Sequence, residues 1–116
     1  MNVIYPESGF GNIVGQILEQ KLKKPEKTEL ARKMRGEVVI EVKDFRASAT
    51  IKFMGDSIEV VNGKTENACS TISANFKVIN ELVSGATTPK VLKLILTRKL
   101  KIKGIAMARK LSALLA

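Results

Sequence analysis

Apolar residues early in the chain recur at three- and four-residue steps. Phe10, Ile13, Val14, Ile17, Leu18 and Leu22 fall on one stripe, opposite Gln16, Glu19, Gln20 and Lys23. The spacing predicts an amphipathic helix that breaks before Pro25. A shorter helix follows over about Glu26 to Met34, with Gly36 as its terminator.

The period then drops to two. In "EVVIEVK", Val38, Ile40 and Val42 share a face; in "ASATIKF", Ala47, Ala49, Ile51 and Phe53 oppose Ser48, Thr50 and Lys52; "SIEVV" adds Ile58 and Val60. "KDFR" and "MGD" read as the turns of an antiparallel meander with one apolar and one polar face. A fourth strand is predicted over about Ala68 to Ala74, then a helix carrying Phe76, Ile79, Leu82 and Val83 and closed by Gly85. Thr88 caps a further helix, 89–98, which begins with Pro89 and is apolar almost all round. Leu100 to Lys103 alternates apolar and basic, a fifth strand at a sheet edge. Past Gly104, Met107, Ala108, Leu111, Leu114 and Leu115 return to helical spacing.

The predicted order is α-α-β-β-β-β-α-α-β-α. One apolar face per strand puts the helices on one side of the five predicted strands, an α+β layer pair. At 116 residues, 45% hydrophobic and 27% charged, the expectation is one globular domain, 1–116, with a core of Ile, Leu and Val. The single Cys69 and the absence of a leader-like start or a long apolar run point to a cytoplasmic protein.

The net charge of +9 is concentrated: residues 21–35 hold seven basic and two acidic side chains, and residues 90–110 hold eight basic and none acidic. That suggests an anionic partner, a membrane surface or nucleic acid. The basic segments lack interleaved aromatics and a recognition-helix pattern, so nucleic acid is not the expected partner.

Chemistry is sparse. With no histidine, histidine-based triads and metal sites are excluded, and no metal or cofactor is expected. Cys69 alternates with polar residues and has no adjacent base. "NGKT" at 62–65 resembles the end of a phosphate loop, but Ile58 stands where that loop needs glycine, so it reads as a turn. Glu37 and Glu41 share the polar face of the first predicted strand and are expected to be solvated. The chain reads as a non-enzyme.

The strand "GEVVIEVKD", the stretch "MGDSIEVVNG", "ANFKVINELVSGATTP" and "KLKIKGIAMARKLSALL" occur in an order and spacing that resembles the sterol carrier protein type-two family. The resemblance covers about residues 35–116. It departs from the family's common pattern at Gly104-Ile105, where Gly-Asp is usual. It implies a five-stranded, mostly antiparallel sheet with helices on one face, an apolar tunnel between sheet and helices, bordered by the last helix, and a lipid-carrying function for a fatty acyl, isoprenoid or sterol-like molecule. The residues expected to line it are Ile17, Leu18, Phe53, Phe76, Ile79, Val83, Val91, Leu92, Ile95, Leu111, Leu114 and Leu115. Lys21, Lys23, Lys24, Arg98, Lys99 and Lys101 are the expected contacts with an anionic membrane. Two alternatives remain: nucleic-acid binding through 21–35 and 90–110, and an accessory interaction domain without a ligand.

Overall fold

The computed structural model describes residues 1–83, 97 and 99–115. Their elements, in chain order, are β1 (Asn2–Ile4), α1 (Phe10–Lys21), α2 (Pro25–Arg32), β2 (Arg35–Val42), β3 (Ala47–Met54), β4 (Ser57–Asn62), β5 (Ser70–Ala74), α3 (Phe76–Val83), β6 (Leu100–Lys103) and α4 (Ile105–Leu115). The predicted helix 89–98 falls mostly outside the described residues.

Period-two patterning sets the sheet register. Val38 lies opposite Ile51, which in turn faces Val60; Ile40 is flanked by Ala49 and Ile72; Ile72 faces Ile102. Directly opposed residues share a face, so these side chains form one apolar surface. Val38, Ile51, Ile58 and Ala49 on it are fully buried. The helices cover that surface. α1 lies over β3 and β4, α4 lies over β5 and β6, and α1, α2 and α3 each touch α4.

The sheet corrects the expectation of five mostly antiparallel strands. It has six strands among the described residues, in the order β1-β4-β3-β2-β5-β6. β1 pairs parallel with β4, and β5 pairs parallel with β2. β1 spans only three residues, too few for alternation to be read, but it satisfies the backbone groups that β4 would otherwise leave unpaired. For β5 the reason is different. Alternation tells which side of a strand is apolar and nothing about its direction or neighbour. β6 is an edge strand, as its lysines suggest.

Because β5 pairs with β2 and not with β4, the connection 63–69 must cross the sheet, and its contacts with Thr50 and Glu41 place it on the outer face. Its contacts mark the route. The Gly63 amide donates to the Ser48 carbonyl (2.9 Å), and the Cys69 amide donates to the Glu37 carbonyl (2.9 Å). The Thr50 hydroxyl donates to the Gly63 carbonyl (2.8 Å). Val39 and Thr50, on the nominally polar face, are therefore buried. "NGKT" is the start of this crossing, and the Lys64 ammonium pairs with Glu41.

Local chemistry sets the helix ends. Asn62, at the end of β4, accepts the Gly11 amide (2.7 Å) and donates to the Ser8 carbonyl (3.0 Å), satisfying a free N–H in the first turn of α1. α2 begins at Pro25, whose missing N–H is harmless there. Gly36 does not terminate α2. It is the second residue of β2, at φ 125°, where a Cβ would lie 2.7 Å from the Cys69 sulfur.

The Glu41 cluster gives a pH-dependent term. The Lys64 ammonium and the Ser73 hydroxyl (2.9 Å) both bind the Glu41 carboxylate and hold its pKa below the ordinary value. Stability from this pair is present above the unfolded-state pKa of glutamate and lost as pH falls through the depressed folded value. Glu41→Gln is expected to destabilise at neutral pH by at most about 1 kcal/mol, since Lys64 is largely exposed. The difference between variant and parent in urea midpoint should vanish in acid; a constant difference at all pH would assign the effect to packing.

Candidate functional site

Between the sheet and α1 lies an apolar cavity of about 70 Å³. The helical stripe of α1 supplies Phe10, Ile13, Val14 and Ile17; the sheet supplies Ile40 and Ile51 as its floor; α3 adds Phe76, Ile79 and Asn80, and α4 adds Leu115. The α1 residues converge because they sit at successive helical steps on one side. Ile40 and Ile51 belong to the same sheet face as the Val38–Ile51 and Ile40–Ala49 pairs.

The walls differ in exposure. Val14, Ile40, Ile51, Ile79 and Leu115 are buried, whereas Ile13 is 52% exposed and Phe76 41%. The cavity therefore opens to the surface between α1 and α3. Asn80 is the one polar side chain among the described lining residues, and none of these carries a carboxylate, amine or thiol. Such a wall can hold an apolar molecule by burial.

Of the residues expected to line a tunnel, Ile17, Phe76, Ile79 and Leu115 border this cavity. Leu18, Phe53, Leu111 and Leu114 are packed into the core, each 3% exposed or less. Val91, Leu92 and Ile95, and the side chain of Val83, lie outside the described residues. Phe10, Ile13, Val14, Ile40, Ile51 and Asn80 line the cavity without having been expected to. For the five apolar residues no signal exists, because a cavity wall and a dry core need the same apolar positions. Asn80 carried one: it is a polar residue one helical turn beyond Phe76.

The basic residues do not gather on one layer. Lys21, Lys23 and Lys24 sit at the end of α1 and just beyond it, in the helix layer. Lys101 lies opposite Ser73, and so on the outer face of the sheet with Glu41. Lys23, Lys24, Lys99 and Lys101 are exposed; Lys21 is half-buried; Arg98 lies outside the described residues. Part of the 21–35 cluster is structural. The Lys27 ammonium donates to the Ala113 carbonyl near the end of α4 (2.7 Å), Arg32 pairs with Glu29 (3.2 Å), and the Arg35 guanidinium donates to the Arg32 and Met34 carbonyls. No described helix is long and apolar enough to cross a membrane.

The chain resembles a solved structure described as a UbiJ-SCP2 ubiquinone synthesis protein, at 23% identity and a TM-score of 0.73 over 90% of each chain. It resembles the sterol carrier protein domain 2 of Helicoverpa armigera at 21% identity and a TM-score of 0.69, covering 99% of this chain and 92% of that one. Sterol carrier protein 2 from Yarrowia lipolytica, in its apo form, matches at 21% identity and a TM-score of 0.64, over 97% and 94%. At these identities the likeness is one of fold. No curated protein sequence matches the chain. The model of the SCP-2 sterol transfer family matches residues 14–116, all but the β1 strand and the first turn of α1. The chain belongs to the SCP-2 sterol transfer family.

Proposed function

We propose that residues 1–116 act as one carrier domain, which holds a fatty acyl, isoprenoid or sterol-like lipid in a tunnel between sheet and helices and exchanges it at anionic membrane surfaces. The observation that carries this reading is the apolar cavity that opens between α1 and α3. Family membership supports a lipid-binding role, and the lining supports holding over chemistry. The net +9 supplies long-range attraction to an anionic surface.

Size adds a condition. A small-molecule site occupies roughly 300 Å³ or more, whereas the cavity bounded by the described residues is about 70 Å³. A lipid can enter only if the walls part, and the exposed lining residues Ile13 and Phe76 mark where they can. The unliganded domain is then nearly closed, which limits its packing penalty. At about 24 cal/mol per Å³ a void of this size corresponds to roughly 1.7 kcal/mol, tolerable within a stability of about 5–15 kcal/mol.

Mass spectrometry of an organic extract from protein purified without detergent tests the reading. The expected result is one lipid class at near-stoichiometric amount, or uptake of an acyl, isoprenoid or sterol probe by extracted protein. An empty extract together with no probe uptake would leave an accessory domain whose cavity is only a packing defect.

A further inference from the structure

The turn between β2 and β3 combines features that do not serve stability. Phe45 is 64% exposed, the most exposed large apolar side chain among the described residues. Arg46 has φ 49°, a left-handed conformation that is unfavourable for a residue with a Cβ. Lys77 stands in the first turn of α3, where a cation opposes the helix dipole. Phe76, beside it, keeps 41% of its surface in water.

These residues form one built unit. The Lys43 amide donates to the Ala74 carbonyl (2.9 Å), tying the turn to the end of β5. The Asp44 carboxylate accepts the Phe76 amide (2.8 Å) and so caps α3. The Phe45 and Phe76 rings meet at a centroid distance of 5.1 Å. Phe76 also lines the cavity where it opens, next to exposed Ile13. Ile13 and Phe76 thus line the mouth, and Phe45 extends them as an apolar ridge by packing on Phe76. Exposed Lys77 follows Phe76 in α3, while exposed Lys43 and Arg46 flank Phe45 in the turn and border a cleft with Glu41, Ser48 and Lys64 on the outer face of the sheet. The nearby acids are engaged, Asp44 by the cap and Glu41 by Lys64 and Ser73.

We propose that this ridge is the edge by which the domain seats on an anionic lipid bilayer, with Phe45 and Phe76 inserted among the headgroups and Lys43, Arg46 and Lys77 against the phosphates. The inference rests on the membrane-exchange reading above and assigns it a surface. Exposed aromatics ringed by cations match the layered chemistry of a bilayer interface, apolar below and anionic above. The strained Arg46 and the cation at a helix start are local conflicts of the kind that mark functional positions. With this edge down, the cavity mouth faces the lipid and its cargo need not cross water.

Co-sedimentation with equimolar phosphatidylglycerol/phosphatidylcholine vesicles tests it. The parent is expected to bind in low salt and to release as salt rises. Phe45→Ser should bind roughly tenfold more weakly, and Arg46→Gly roughly fivefold more weakly. Arg46→Gly should melt no lower than the parent, because glycine suits the left-handed turn, so its lost binding cannot come from unfolding. Both variants should take up a fluorescent fatty acid in vesicle-free solution as the parent does. Parent-like vesicle binding by both variants would overturn the ridge while leaving membrane exchange standing. No binding by the parent would overturn both, with fatty-acid uptake still judging the cavity. Self-association that Phe45→Ser abolishes, without vesicle binding, would make this edge an interface between copies and also overturn the proposal.

Discussion

Replacing Gly104 with alanine is expected to destabilise the domain by about 3 kcal/mol or more, well above the ~1 kcal/mol of an average substitution. Gly104 joins β6 to α4 at φ 69°. The left-handed conformation alone costs an alanine roughly 1–2 kcal/mol. The larger effect is steric. An added Cβ would lie 2.1 Å from the Cys69 carbonyl oxygen and 3.0 Å from the Ser70 Cα. Both are backbone atoms at the start of β5, and neither can rotate aside. Relief requires β6 to separate from β5, where the Ser70 hydroxyl donates to the Lys103 carbonyl (2.8 Å), or α4 to lift its Leu111 and Leu114 out of the core. Gly63→Ala is the matched control. Its φ is 92°, but nothing lies within 4 Å of the added Cβ, so it should lose only the conformational part. Denaturant midpoints of the two variants separate clash from strain. Equal losses would mean that the close approach of Gly104 to β5 is absent in solution.

Gly104 also shows where the sequence was informative. The switch from period two at Leu100–Lys103 to helical spacing after it placed a sharp bend at that residue, and the bend is there. The meander was legible for a related reason. Ala49, Ile51, Ile58 and Val60 alternate with polar residues, and alternation is a direct consequence of the pleat. Sheet order is a different kind of fact. The parallel seating of β5 against β2 depends on the path of 63–69 across the outer face, a run of Gly, Lys, Thr, Glu, Asn, Ala and Cys with no periodicity to read. Thr50 looked solvent-facing for the same reason: the segment that covers it is invisible to a pattern confined to one strand. Gly36 looked like a helix terminator because it follows an amphipathic run, yet the tight contact it serves is with Cys69, distant in sequence. The candidate site was half legible. Ile17, Phe76, Ile79 and Leu115 border the cavity, while Leu18, Leu111 and Leu114 have the same spacing and fill the core. Hydropathy reports that a side chain leaves water, and it does not distinguish a wall from a filling.

The second large effect concerns that wall. An apolar ligand at about a hundred times its dissociation constant stabilises the folded state by about 2.7 kcal/mol. In a domain of this size each kcal/mol moves the melting temperature by about 4–8 °C. Extracted protein is therefore expected to melt roughly 10 °C or more higher when saturated with a matched acyl, isoprenoid or sterol probe, less whatever is lost in parting α1 and α3. Val14→Phe should remove that rise. Val14 is buried and faces the cavity from the middle of α1, with Ile40 and Ile51 across the space. A phenyl ring there would occupy much of the 70 Å³. It would recover part of the roughly 1.7 kcal/mol associated with the void against an overpacking cost of about 1–3 kcal/mol. The variant should thus stay folded, within about 2 kcal/mol of the parent. Loss of the ligand-induced rise with retention of the fold would locate the ligand between α1 and the sheet. A full rise in Val14→Phe would place the ligand elsewhere, because a blocked cavity cannot transmit binding energy to the melting transition.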